Sequence, residues 1–211
     1  DMFRVFDYCH DKGIMPLCTP WDPSSIEKLH NYGLSGFKVA SADLVNHHLL
    51  EKLVATRKPL ICSTGMSREE EIIESAKFLR NAGTQFSMLH CNSTYPAPFK
   101  DVNLSYLNRL QEIGQCVVGY SGHERGINVA IASIGFGARI IEKHLTLDRK
   151  MEGNDHKVSL LPDEFSNMVK GIREVELSIG NDDKREITQG ELMNREILGK
   201  SLVINCDLKK G

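Results

Sequence analysis

The 211 residues carry 26 Lys and Arg against 28 Asp and Glu, a formal net charge of -2, with 41% hydrophobic and 26% charged residues. This is the composition of one globular domain with a sizeable core. It lacks the basic stripe that nucleic acid or an acidic membrane requires, and no apolar run approaches the roughly 18 residues of a membrane span, so small solutes are the expected partners, with no nucleic acid and no membrane.

In chain order, "DMFRVFDYCHDKG" reads as the tail of an amphipathic helix ending at Gly13; it lacks the long apolar core of a signal peptide, so a cytoplasmic location is expected. Six apolar, β-branched runs follow at short, even spacing: "IMPLC" (14–18), "GFKVA" (36–40), "PLICS" (59–63), "QFSMLH" (85–90), "CVVGY" (116–120) and "ARIIE" (138–142). Helical patterns lie over 23–32, 46–56, 67–81, 103–113, 126–136 and 162–179, with Ser67 and Glu70 forming a capping box. This alternation is the signature of βα units on a parallel sheet, in which a (β/α)8 barrel competes with an open doubly wound sheet. If two units precede the visible ones, the six runs become strands three to eight of a barrel. No GxGxxG follows a strand, so a dinucleotide fold has no support from its usual fingerprint. After Gly180 the chain turns polar, and "SLVINCDLKKG" reads as a first strand beyond a linker. The six cysteines are scattered without a CxxC and read as reduced thiols.

Polar residues follow the runs, in "CTPWD", "VASAD", "CSTGM", "LHCNSTYPAP", "GYSGHE" and "IEKHLTLDR", where an α/β active site lies in either architecture. His123 and His144 end neighbouring strands and can converge on one divalent ion, with Glu124, Glu142 and Asp155 nearby; such a site suits Mn, Fe, Co or Zn better than Ca. Lys38, Ser41, Ser63, Thr64 and Ser121 offer a cation and several hydroxyls as a phosphate cradle. Ser121 and His123 share strand parity, so both should face one pocket while Glu124 points away, as a supporting or surface residue. Tyr95 could line the same pocket.

The motifs "FKVAS", "CSTGMS", "LHCNSTYPAP", "GYSGHERGI" and "IEKHLTLDRKMEGNDHKVSL", in this order, resemble the sialic acid (N-acetylneuraminate) synthase family, which includes legionaminate and pseudaminate synthases. The resemblance implies a (β/α)8 TIM barrel, here lacking about the first two βα units (1–180), a linker (181–198) and the start of a C-terminal antifreeze-like, or SAF, domain (199–211). It implies a domain-swapped homodimer in the full-length protein. The implied reaction condenses phosphoenolpyruvate with an N-acyl amino sugar, N-acetylmannosamine or its 6-phosphate, to a nine-carbon sialic acid with release of phosphate. His123 and His144 would hold a divalent metal, usually Mn, with Mg or Co as alternatives. Lys38, Ser41, Ser63 and Ser121 would grip phosphoenolpyruvate; Ser93 and Tyr95 would contact substrate, and Asp43 and Asp155 would be catalytic acids. Asp43 stands where the family often has Glu, Ser93 where some members have Asn, and "GNDH" where the family has "GPDH". The fragment alone is expected to be inactive, because the family takes an acid and a lysine from the first strands and an arginine from the partner's C-terminal domain. The alternatives are a legionaminate, pseudaminate or other polysaccharide-sugar synthase and, from another class, a noncatalytic sugar-binding barrel.

Overall fold

The computed structural model describes residues 2–211; Asp1, where the first expected domain begins, lies outside them. The chain divides into two compact units at Ile179 and Gly180.

The first unit is a parallel α/β array. Its elements are α1 (Met2–Asp11), α2 (Pro23–Tyr32), β1 (Phe37–Val39), α3 (His47–Ala55), β2 (Leu60–Ser63), α4 (Glu69–Asn81), β3 (Phe86–Cys91), α5 (Tyr106–Gly114), β4 (Val117–Gly122), α6 (Asn128–Ser133), β5 (Ile140–Lys143) and α7 (Pro162–Ile179). The strands lie in sequential order, β1-β2-β3-β4-β5, and every pair is parallel. A doubly wound sheet reverses its strand order at a switch point. Here there is no reversal, so the sheet winds one way as a curled half-barrel.

Of the six expected strands, five form. The run at 14–18 contributes only a parallel bridge at Cys18, whose carbonyl accepts from the Lys38 N–H at 3.0 Å. Pro16 sits in the middle of that run and has no N–H for a ladder, which limits pairing to its end. The expected Ser67–Glu70 capping box does not form: α4 begins two residues after Ser67, and Glu71 accepts from the Arg68 N–H at 2.7 Å. The preceding helices are capped by side chains. Asp22 accepts from the Ser25 N–H ahead of Pro23, and Asn46 from the Leu49 N–H.

Strand parity divides the sheet's two faces. Phe37, Leu60, Cys62, Met88, Val118 and Tyr120 are buried under the helices, together with Leu50, Leu53, Leu79, Leu107 and Leu110 from α3, α4 and α5. The other face carries Lys38, Ile61, Ser63, Leu89, Cys91, Ser121 and Glu142, aligned by the ladder as Lys38↔Ile61, Ser63↔Leu89 and Cys91↔Ser121↔Glu142. At Gly119 a Cβ would overlap the Ile140 carbonyl and the Leu89 side chain, so glycine lets β4 approach its neighbours at this point. All six cysteines are free, with Cys62 and Cys91 buried and Cys206 exposed.

The second unit, Gly180–Gly211, contains α8 (Gln189–Leu198), capped by Thr188. The expected strand at 202–204 does not form, and Leu202, Val203 and Ile204 are exposed. Among the described residues no helix is long and apolar enough to cross a membrane.

Candidate active site

The polar ends of the strands open into one cleft of about 480 Å³ at the carboxyl edge of the sheet. Nine of the ten residues to which the resemblance gives a role line it: Lys38, Ser41, Ser63, Ser93, Tyr95, Ser121, His123, His144 and Asp155. Ser121 and His123 thus share one cavity, as their parity predicts. The tenth, Asp43, does not line it. Asp43 lies in a 3₁₀ turn after β1, nearly buried, where Oδ1 accepts from Asn46 Nδ2 at 3.0 Å. Its Oδ2 is the one buried side-chain polar atom among the described residues without a partner. Such an atom carries a desolvation cost that a protein retains at a point of use or of strain. Thr64 also turns away, its hydroxyl donating to the Leu89 carbonyl at 3.0 Å.

One wall is built around a fixed cation. Lys38 Nζ donates to Ser63 Oγ at 2.7 Å and to the Val39 carbonyl at 2.9 Å, and lies 3.7 Å from Glu142 Oε2. Glu142 also accepts from Ser121 Oγ at 2.7 Å. Beside it, Gly65 N–H donates to Ser41 Oγ at 3.1 Å, and a Cβ on Gly65 would collide with Ser93 Oγ and approach Ser41 Oγ to 2.9 Å and Cys91 Sγ to 3.1 Å. Glycine at 65 therefore lets three polar side chains gather against bare backbone.

The opposite wall is aromatic and basic. The imidazole centroids of His123 and His144 are 5.2 Å apart, and the Tyr95 ring lies 4.1 Å from His123 and 5.8 Å from His144. His123 Nδ1 meets the Asn92 carbonyl at 2.7 Å, which makes Nδ1 the protonated nitrogen and leaves Nε2 with its lone pair. His144 Nδ1 faces Asp155 Oδ2 at 3.8 Å. Burial opposes charge on His123, but contact with Cys91 Sγ at 3.7 Å and the Asn92 carbonyl outweighs it and raises the His123 pKa. Burial likewise opposes a Cys91 thiolate, and His123 with the Ser41 and Ser93 hydroxyls overcomes it, so the Cys91 pKa falls below its ordinary value. His144 is depressed, first by burial and then by His123, against the pull of Asp155.

Sequence reasoning left Cys91 among structural thiols and named Glu142 only as a nearby acid. The missed signal was parity: Cys91 and Ser121 are ladder partners, and Glu142 stands two residues before His144 on the same face. Glu124 points away from the cleft as expected, but it is not at the surface: it is fully buried.

The NeuB family model matches residues 1–184. The N,N'-diacetyllegionaminic acid synthase of Campylobacter jejuni is 40% identical over 92% of this chain and 59% of its own length. The human N-acetylneuraminate-9-phosphate synthase is 33% identical over 100% of this chain and 59% of its own. The chain thus spans about six-tenths of the length of these curated relatives. The crystal structure of an N-acetylneuraminic acid synthetase from Leptospira borgpetersenii, in complex with citrate, superposes with a TM-score of 0.86 at 29% identity, covering 95% of this chain and 71% of that one. A phospho-2-dehydro-3-deoxyheptonate aldolase from Thermotoga maritima, at 19% identity and a TM-score of 0.73 over 84% of this chain and 55% of that one, shares the TIM-barrel-like fold alone. With a family match over most of its length and relatives at this level of identity, the chain belongs to the NeuB family of sugar acid synthases.

Proposed function

We propose that the protein containing this chain condenses phosphoenolpyruvate with an N-acylated amino sugar, forming a nine-carbon sialic acid or a related nonulosonate and releasing phosphate. The observation that carries this reading is the meeting, in one cleft, of a cation-and-hydroxyl wall with a two-histidine wall. A noncatalytic sugar binder has no use for both.

Lys38, Ser41, Ser63 and Ser121 bind and orient the phosphate and carboxylate of phosphoenolpyruvate, and Gly65 keeps space for them. Glu142, which in the free protein accepts from Ser121 and pairs with Lys38, must yield that cation to substrate. Tyr95 and Ser93 contact the sugar, and Asp155 takes and returns protons at its hydroxyl end. C3 of phosphoenolpyruvate bonds to the aldehyde carbon as the C2=C3 π bond opens and the aldehyde oxygen takes a proton; water adds at the cationic C2 and loses its protons, and the C2–O bond to phosphate breaks as the C2 ketone forms. Asp43 stays in the proposal as a carboxylate that must turn its unpartnered Oδ2 toward the cleft.

His123 and His144 would hold a divalent metal, Mn in the first instance. Two imidazoles on one ion, with metal–nitrogen bonds of about 2.0–2.2 Å, place their ring centroids roughly 5 Å apart, and the observed 5.2 Å fits. The Asn92 carbonyl fixes the His123 tautomer that leaves Nε2 to coordinate, the usual outer-shell partner of a ligating histidine. Among the described residues no group of three or more His, Cys, Asp or Glu is placed to hold a metal ion, so ligands beyond the two histidines would have to come from water, substrate or the rest of the longer protein. Bound there, it would act as a Lewis acid on the sugar aldehyde.

The edge strands β1 and β5 border a cavity of about 380 Å³ whose lining mixes Ile61, Ile140, Ile141 and Phe165 with Lys38, Glu142 and Lys143, and two further βα units of the longer protein would close the barrel there. Gly180–Gly211 would lead into the antifreeze-like domain that completes the site in a homodimer. Six free thiols fit a cytoplasmic enzyme.

The test is phosphate release from phosphoenolpyruvate by the full-length protein against a panel of N-acyl hexosamines and their phosphates, with and without Mn. Release that depends on one acceptor is expected; none with any acceptor contradicts the reading.

A further inference from the structure

The two histidines follow paired strand ends, Gly122 of β4 and Lys143 of β5, which are ladder partners. On the sheet face opposite the cleft, the residues beside them are locked together. Lys143 Nζ donates to Glu124 Oε1 at 2.9 Å and to the Glu124 backbone carbonyl at 2.7 Å, and the Tyr120 hydroxyl donates to Glu124 Oε2 at 2.5 Å. The Lys143 and Glu124 side chains are both fully buried. Gly122 makes the arrangement possible, since a Cβ there would lie 2.8 Å from Glu124 Oε2 and 2.8 Å from Tyr120 Cε1.

We infer that Glu124, Lys143 and Tyr120 form a buried clamp that sets the spacing of His123 and His144, making them positioning residues for the site. The inference rests on the reading of the two histidines as a metal pair. A buried ion pair seldom adds stability over a well-packed apolar pair of the same volume, because desolvation offsets the attraction. What it does supply is geometry. Lys143 holds both the side chain and the main chain of residue 124, so the loop after β4 cannot slide along β5. Each histidine is one residue from a clamp member, and alternating side-chain direction puts the imidazole on one face and its neighbour's charge on the other.

The experiment uses the full-length protein and its Glu124→Ala, Glu124→Gln and Lys143→Met variants, checked for folding by circular dichroism and thermal melting. Mn titration should show 10- to 100-fold weaker binding in the Ala and Met variants, about the loss usual when an outer-shell partner of a metal ligand is removed. Glu124→Gln, which keeps the shape and the acceptor oxygen, should lose less. A crystal structure of the metal-free Lys143→Met protein should show the ring centroids displaced from 5.2 Å. If that variant does not fold, Glu124→Gln carries both readouts. Folded variants with lowered melting temperature but unchanged Mn affinity and ring separation would overturn the clamp. A wild-type protein that binds no Mn would instead remove the metal reading, and the ring separation alone would then decide the clamp.

Discussion

The Lys38 ammonium group is held in place by the protein's own groups. It has Ser63 Oγ, the Val39 carbonyl and Glu142 around it, so a phosphate bound there as proposed would replace a carboxylate 3.7 Å away and pay little to order the lysine stem. Lys38→Ala is expected to weaken phosphoenolpyruvate binding by about 1.5–3 kcal/mol, the usual worth of a hydrogen bond to a charged group, and to change acceptor affinity far less. Calorimetric titration of each substrate checks this, and equal losses for both would assign Lys38 another task. Ser93 and Asp155 came with the family resemblance, whereas Lys38, Ser63, Ser121, His123 and His144 were legible from strand-end position and parity. Asp43 was not. It lies in a 3₁₀ turn, where the alternation of a strand no longer applies, and Asn46 draws its carboxylate aside. Cys91 escaped notice because a thiol in an apolar run is read as core, and only the pairing of β3 with β4 puts it against His123.

Among elements, β3 is tied to the connection before α5 by His90, a buried side chain whose Nε2 donates to the Val102 carbonyl at 2.5 Å. Burial lowers the His90 pKa below its ordinary 6.5, and the Val102 and Asn103 carbonyls only partly offset it. The unfolded chain therefore takes up a proton that the folded chain refuses. The stability His90 contributes is complete above about pH 6.5 and is lost as the pH falls from there toward the depressed folded value. Urea unfolding at pH 7.5 and pH 5.5 should show a smaller drop for His90→Gln than for the wild type. Equal drops would mean that His90 titrates freely. Helices were the most legible elements from sequence, since α2 and α7 carry clear caps or periodicity and fall at the expected bounds. The run at 14–18 was read as a strand from its apolar residues, whereas backbone pairing decides the matter and Pro16 limits it.

At the scale of the molecule, sequential parallel strands bring Lys38 on β1 and His144 after β5 to one cleft although they are far apart in the chain. Sequence spacing alone left the barrel and the open sheet in competition; the strand order separates them because only one requires a reversal. The second unit was less legible, since an apolar triplet such as Leu202, Val203 and Ile204 predicts burial without naming what buries it. In the proposed reading, two histidines at neighbouring strand ends serve one chemical step. It is tested most directly by phosphate release from phosphoenolpyruvate and the preferred acceptor, measured with Mn for the full-length wild type, His123→Ala and His144→Ala. Each variant should fold normally and lose at least about 100-fold in turnover, the scale of a lost electrostatic stabiliser. A folded single variant that keeps near-wild-type turnover and metal content would contradict it.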